Sequence, residues 1–317
     1  MLPVRGMPSA DARSETAAVV VLAGSAHPAL AAAVARSLGA PLGSTRSERF
    51  PDGEMHVSVD EEAVERRDVL VVQPTSAPVG EHVLELLLLA DACRRAGAKS
   101  VSAVVPYFGY ARQDRRKRPG EPIGVRVVAE QLATARLERI VCVDLHSDVT
   151  EASIDVPVEN ASAVPLLAQA LAEHARRDAV VVAPDLGAVK LAREYARLLE
   201  LPMAAVHKVR TSGTEVATER VAGDVRGRRP IIIDDMISTG GTIVAAARAI
   251  HEHGSEDDVI VAATHAVLVP GAREKLRAGG VRRLVVTDTI APSPSEPWIT
   301  VVPVAQLLAD VLRRFVR

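Results

Sequence analysis

Ile231-Ile232-Ile233-Asp234-Asp235-Met236-Ile237-Ser238-Thr239-Gly240-Gly241-Thr242 joins an unbroken apolar run to two adjacent carboxylates and a hydroxyl- and glycine-rich turn. A strand with no polar alternation is buried on both faces, which is the habit of parallel sheets. Carboxylates held at its end can accept hydrogen bonds from the vicinal hydroxyls of a sugar. Gly240 and Gly241 carry no Cβ, so backbone N–H groups can approach an anion closely. Thr239 and Thr242 add hydroxyl donors where the following helix begins, and the helix dipole favours negative charge there. The pattern predicts a seat for a phosphorylated sugar, with a capped strand-to-helix turn as the plain structural alternative.

Similar apolar runs recur at Val19 to Leu22, Val69 to Val72, Val101 to Val105, Ile140 to Val143, Val180 to Val182, Val259 to Ala263 and Leu284 to Thr287. Stretches of helical period separate most of them: Pro28 to Leu38, His82 to Ala96, Val125 to Ala135, Leu191 to Leu199 and Ile243 to His253. The expectation is an α/β chain of mostly parallel sheets flanked by helices. With 317 residues the chain exceeds what one core usually fills, so two similar domains are expected, 17–158 and 159–317. Chemically capable groups cluster after the runs, as in Asp144-Leu145-His146, Pro184-Asp185, Thr264-His265 and Asp288-Thr289. In open α/β sheets, ligands bind outside the carboxyl ends of the strands.

Charge is nearly balanced, with 38 basic and 40 acidic side chains, which gives no reason to expect nucleic acid or a membrane surface as the partner. Cys93 and Cys142 lie in apolar surroundings, as reduced core thiols of a cytoplasmic protein do. Met1 to Thr16 is polar and aperiodic and reads as a disordered tail.

The chain has three Phe, three Tyr and one Trp, and Tyr107, Phe108 and Tyr110 all fall in one string that continues Ala111-Arg112-Gln113-Asp114-Arg115. Arg112, Arg115, Arg116, Lys117 and Arg118 suit a polyphosphate through charge-assisted hydrogen bonds, although a solvated basic loop or an RNA contact has the same composition. Phe50-Pro51-Asp52-Gly53-Glu54 sets one aromatic and two carboxylates around a glycine turn. In His207-Lys208-Val209-Arg210, Lys208 and Arg210 would share one side of an extended segment that opens a mobile polar stretch, Thr211 to Arg220. Two cations so placed can neutralise phosphoryl oxygens or merely end a strand.

The sugar-phosphate string resembles the motif shared by type I phosphoribosyltransferases and ribose-phosphate pyrophosphokinases. Phe50 to Glu54, Tyr107 to Arg115 and Val143 to His146 resemble the pyrophosphokinases in order and spacing, from about Val20 to about Val311. That resemblance implies two phosphoribosyltransferase-like domains, the first on the ATP side and the second holding ribose 5-phosphate. It implies transfer of the diphosphoryl group of ATP to the sugar's C1 hydroxyl, with Lys208 and Arg210 catalytic. Phe50, Asp52, Gly53, Glu54, Arg112 and Gln113 become ATP contacts, the first four donated by a neighbouring subunit of a homo-oligomer. Arg210, Asp234, Asp235, Ser238, Thr239, Gly240, Gly241 and Thr242 become sugar-phosphate contacts, and His146 and Asp185 magnesium positions. A phosphoribosyltransferase and a catalytically silent regulatory paralogue are the alternatives. The chain departs from the family pattern at Ser147-Asp148-Val149-Thr150-Glu151-Ala152-Ser153-Ile154, at Ser238 and at Ala188.

Overall fold

A computed structural model describes residues 18–209, 218–292 and 296–316, so the expected tail and Arg210 lie outside the described residues. Strands in the first part are β1 (Val19–Ala23), β2 (Leu42–Gly43), β3 (Thr45–Arg49), β4 (Met55–Val59), β5 (Asp68–Val72), β6 (Ser100–Val105), β7 (Ile140–Val143) and β8 (Val158–Ala161). The second part contributes β9 (Ala179–Ala183), β10 (Met203–Val209), β11 (Thr218–Ala222), β12 (Arg229–Ile237), β13 (Val259–Ala266), β14 (Val281–Thr287) and β15 (Ile299–Val302). The helices are α1 (Pro28–Leu38), α2 (Glu61–Val64), α3 (Val79–Arg95), α4 (Gly124–Thr134), α5 (Asp148–Ala152), α6 (Val164–Leu171), α7 (Val189–Leu199), α8 (Gly241–Glu252), α9 (Ala272–Ala278) and α10 (Ala305–Leu312).

Among the described residues, one sheet runs β2-β1-β5-β6-β7-β8 and the other β11-β10-β9-β12-β13-β14-β15. Every pairing in the first is parallel, and in the second only β10 with β11 is antiparallel. The unbroken Val/Ile runs are buried along their length in β7 and β9 because helices cover both faces. The eight apolar runs read from sequence are all strands, and the five helical stretches are helices with ends shifted by a few residues.

Two features depart from the sequence pattern. The expected polar, mobile stretch ends in β11, which pairs with β10 through Ala205 and Ala222 to Val209 and Thr218. The hairpin β3-β4 forms a separate two-stranded ribbon that the sequence analysis did not read as strands: β3 is polar throughout, whereas β4 alternates Met55, Val57 and Val59 with His56 and Ser58 and sets Val57 and Val59 on the first core.

The two halves are joined at more than the linker. β8 spans residues 158–161 and pairs with β7, so the strand that crosses the expected boundary belongs to the first sheet. At the other end of the chain, α10 returns from β15 to pack on the first sheet beside α1, where Leu308 and Leu312 are fully buried with Leu30, Val34 and Val141. Arg313 hydrogen-bonds the Ser37 carbonyl, and Arg139 lies over the Phe315 ring at 3.8 Å. No helix among the described residues is long and apolar enough to cross a membrane.

Leu308→Ala removes a fully buried side chain from a helix that bridges the halves, so unfolding should lose about 2–5 kcal/mol. Urea denaturation measures this, and a loss under about 1 kcal/mol would show that α10 does not stabilise the first sheet.

Candidate active site

The carboxyl ends of the two sheets face each other across a cleft with a cavity of about 150 Å³. Arg112 and His146 line it from the first half, and Asp185, Asp234, Asp235 and the loop Ser238 to Thr242 from the second. β9 and β12 are neighbours, so Asp185 after β9 emerges beside the carboxylates of β12. Leu268 and Val269 donate N–H bonds to the Ile237 and Ser238 carbonyls at 2.9 and 3.1 Å, anchoring the loop from behind. Gly240 caps α8 with φ of 73°, and a Cβ there would lie 3.0 Å from the Leu276 side chain. Both the backbone angle and the space therefore call for glycine. The first turn of α8 lines the cavity, which makes it a seat for an anion.

His146 Nδ1 lies 2.5 Å from Asp235 Oδ2 and donates to it across the cleft. Asp234 Oδ1 accepts from the Asp235 N–H at 2.9 Å. Burial, then the charge of Asp235, pushes Asp234 up to about 8. Burial also acts to raise Asp235, but the hydrogen bond and charge of His146 overcome it and hold this carboxyl below its usual range. The same bond raises His146 against its burial. The trio thus favours the protonated form of Asp234 and the charged forms of His146 and Asp235, which lowers the negative charge of the site below what its composition suggests.

Asp144 sets this geometry. It has φ of 41°, its Oδ2 accepts from the Ala163 N–H at 3.1 Å and the Thr264 hydroxyl at 2.6 Å, and its carbonyl accepts from His265 Nε2 at 3.2 Å. A carbonyl only accepts, so Nε2 carries the proton and Nδ1 faces Thr289 Oγ1 at 2.9 Å. Burial holds the His265 pKa down, in keeping with a neutral ring. Tyr107 packs edge-on against that ring at 5.1 Å. Asp144, Thr264, His265 and Thr289 were legible as strand-end polar groups, but which of them meet across the halves was not.

Arg112, His146, Asp185, Asp234, Asp235 and the 238–242 loop are brought together. Gln113 lies one residue from Arg112, exposed and packed beside Gly124, where a Cβ would sit 2.4 Å from Gln113 Oε1. Phe50, Asp52, Gly53 and Glu54 form the β3-β4 tip, closed by Phe50 N–H to the Glu54 carbonyl at 2.9 Å, and are not among the residues that line the cleft of their own chain. Phe50 is 50% exposed. Lys208 lies in β10, while Arg210 falls outside the described residues.

Models of two domain families match this chain: the N-terminal domain of ribose phosphate pyrophosphokinase over residues 19–135, and the phosphoribosyl transferase domain over residues 159–291. The chain belongs to the ribose-phosphate pyrophosphokinase family. The ribose-phosphate pyrophosphokinase of Parasynechococcus marenigrum is 40% identical over 304 residues, covering 95% of this chain and 91% of that one. The enzyme of that name from Burkholderia pseudomallei is 41% identical over 303 residues, covering 94% and 95%. The crystal structure of phosphoribosylpyrophosphate synthetase from Mycobacterium smegmatis superposes with a TM-score of 0.86 at 40% identity, covering 93% of this chain and 97% of that one. Like these relatives, this pyrophosphokinase-family chain is an enzyme with two phosphoribosyltransferase-like halves.

Asp234 has a folded-state pKa of about 8 against an ordinary value of 3.8, so folding favours its protonated form. The folded state then binds the extra proton between those values, and stability falls as pH rises through that window. Asp234→Asn, which mimics the neutral carboxyl, should raise the apo melting temperature above pH 7 and flatten its decline. Thermal melts at about pH 5 to pH 9 test this, and equal slopes for variant and wild type would contradict it.

Proposed function

We propose that the enzyme transfers the β,γ-diphosphoryl group of ATP to the C1 hydroxyl of ribose 5-phosphate, giving 5-phosphoribosyl 1-diphosphate and AMP. The observation that carries this reading is the cleft itself, which sets a sugar-phosphate loop on one sheet opposite Arg112 and His146 on the other. The 5-phosphate sits on Ser238 to Thr242 at the start of α8, and Asp234 and Asp235 hold the ring hydroxyls. Partial neutralisation of the carboxylates by the proton on Asp234 and by His146 lets two polyanionic substrates share the cleft.

C1–O forms a bond to the β-phosphorus, the bond from that phosphorus to the oxygen shared with the α-phosphoryl group breaks, and AMP leaves with the electron pair. The hydroxyl proton passes to water. Lys208 and Arg210 stabilise the negative charge that spreads over the transferring oxygens, so positioning and electrostatics supply most of the acceleration.

His146 and Asp185 fit a magnesium ion that keeps most of its shell as phosphate and water oxygens. Nδ1 of His146 is engaged by Asp235, so Nε2 would hold the ion after giving up its proton as metal and ATP arrive, and Asp185 Oδ1 already accepts from Gly187 and Ala188, so Oδ2 would be its second protein ligand. When bound, magnesium neutralises and orients the triphosphate.

The active unit is a homo-oligomer in the cytoplasm. Phe50, Asp52 and Glu54 do not line the cleft of their own chain and Phe50 is half exposed, which supports the reading that a neighbouring subunit's hairpin supplies the adenine contacts. Incubation with magnesium, ATP and ribose 5-phosphate should give AMP and phosphoribosyl diphosphate in equal amounts, and ADP in place of AMP would overturn the reading. Lys208→Ala should lower turnover by about 100-fold or more while ATP binding is kept.

A further inference from the structure

We infer that Ser147 and Thr150 are positioning residues that staple the nucleotide loop, and that they set the affinity for ATP without touching it. This deepens the proposed function and rests on its assignment of Arg112 and Gln113 to ATP.

Ser147 caps α5, its Oγ accepting from the Thr150 N–H at 3.2 Å. Each of the two hydroxyls has one proton to donate. Ser147 Oγ donates to Asp114 Oδ2 at 2.9 Å, and Thr150 Oγ1 donates to the Ala111 carbonyl at 3.2 Å. The two acceptors are residues 111 and 114, so the bonds grip the loop on either side of Arg112 and Gln113. Within the grip, Gln113 N–H bonds the Tyr110 carbonyl at 2.8 Å, and the Val125 N–H bonds the Gln113 carbonyl at 3.3 Å. Beyond the grip, Arg115 to Arg118 are exposed.

Burial separates this staple from an ordinary cap. Thr150 is 0% exposed and Ala111 4%, so loss of the hydroxyl takes a hydrogen bond from a buried carbonyl. Ser147 also follows His146 directly, so one short helix start ties the metal position to the loop carrying Arg112. The pair falls in the stretch, residues 147–154, where this chain departs from the family pattern. The departure therefore installs its own means of holding a loop that ATP requires.

The test compares steady-state kinetics of wild type, Thr150→Val, Thr150→Ser, Ser147→Ala and Arg112→Ala, each checked by thermal melt. Valine keeps the shape of threonine and loses only the hydroxyl. Thr150→Val should raise KM for ATP about fivefold, the effect of one lost hydrogen bond, with kcat and KM for ribose 5-phosphate changed less than about twofold. Thr150→Ser should restore the wild-type value, and Ser147→Ala should reproduce the ATP-specific change. Arg112→Ala should raise KM for ATP further than either. If Arg112→Ala raises KM for ATP while Thr150→Val and Ser147→Ala do not, the staple is wrong and the nucleotide assignment stands. If both KM values rise together in Thr150→Val, its role is merely structural and the inference falls. If Arg112→Ala leaves KM for ATP unchanged, the assignment of this loop to ATP falls and the inference with it.

Discussion

The site depends on the contact that Asp144 makes across the two halves. A residue at the end of β7 takes a left-handed backbone conformation, gives its carboxylate to Ala163 and Thr264, and gives its carbonyl to His265. Turned this way, the chain delivers His146 two residues later to Asp235. The carboxyl ends of the parallel strands of the two sheets are thereby held face to face, each sheet bringing ligand groups that the other lacks. β8 and α10 support the same joint from the sides, one continuing the first sheet past the linker and the other folding the chain's end back onto it.

That joint also shapes the electrostatics. Two adjacent carboxylates would repel phosphate if both were charged and free. Burial beside a second acid favours the neutral form of Asp234, and His146, reaching from the opposite half, is the largest influence that holds Asp235 in its charged form. The site is therefore assembled from both halves in its charge as well as in its shape. Its anion seat is built otherwise, from the N–H groups of a helix start and a glycine whose φ and crowding against Leu276 exclude a side chain.

The strand-forming runs and the sugar-phosphate loop were legible because buried parallel strands leave a signal of their own, and because Asp234 to Thr242 is contiguous in the chain. His146, Asp185 and Arg112 were legible as polar groups following such runs, and the cleft brings them to the same loop. The partners of Asp144 were not legible, since a bond between residues 144 and 264 leaves no periodic trace. The β3-β4 hairpin was missed for a different reason: β3 is polar and largely exposed, and the alternation of Met55, Val57 and Val59 in β4 lasts only five residues. The segment 147–154 stood out only as a departure, and its two hydroxyls gained meaning once α5 was seen beside the loop at 111–114.

The central claim is that the anomeric oxygen of the sugar attacks phosphorus, so that the C1–O bond survives the reaction. Ribose 5-phosphate labelled with ¹⁸O at C1 and freshly mixed with magnesium, ATP and enzyme tests it most directly, with mass analysis of both products. The account predicts that the label stays in phosphoribosyl diphosphate, bridging C1 and phosphorus, and that AMP is unlabelled. Label lost from the sugar product would mean that C1 is the centre attacked, and label in a sugar bisphosphate formed with ADP would mean that the γ-phosphorus is; either result would contradict the account.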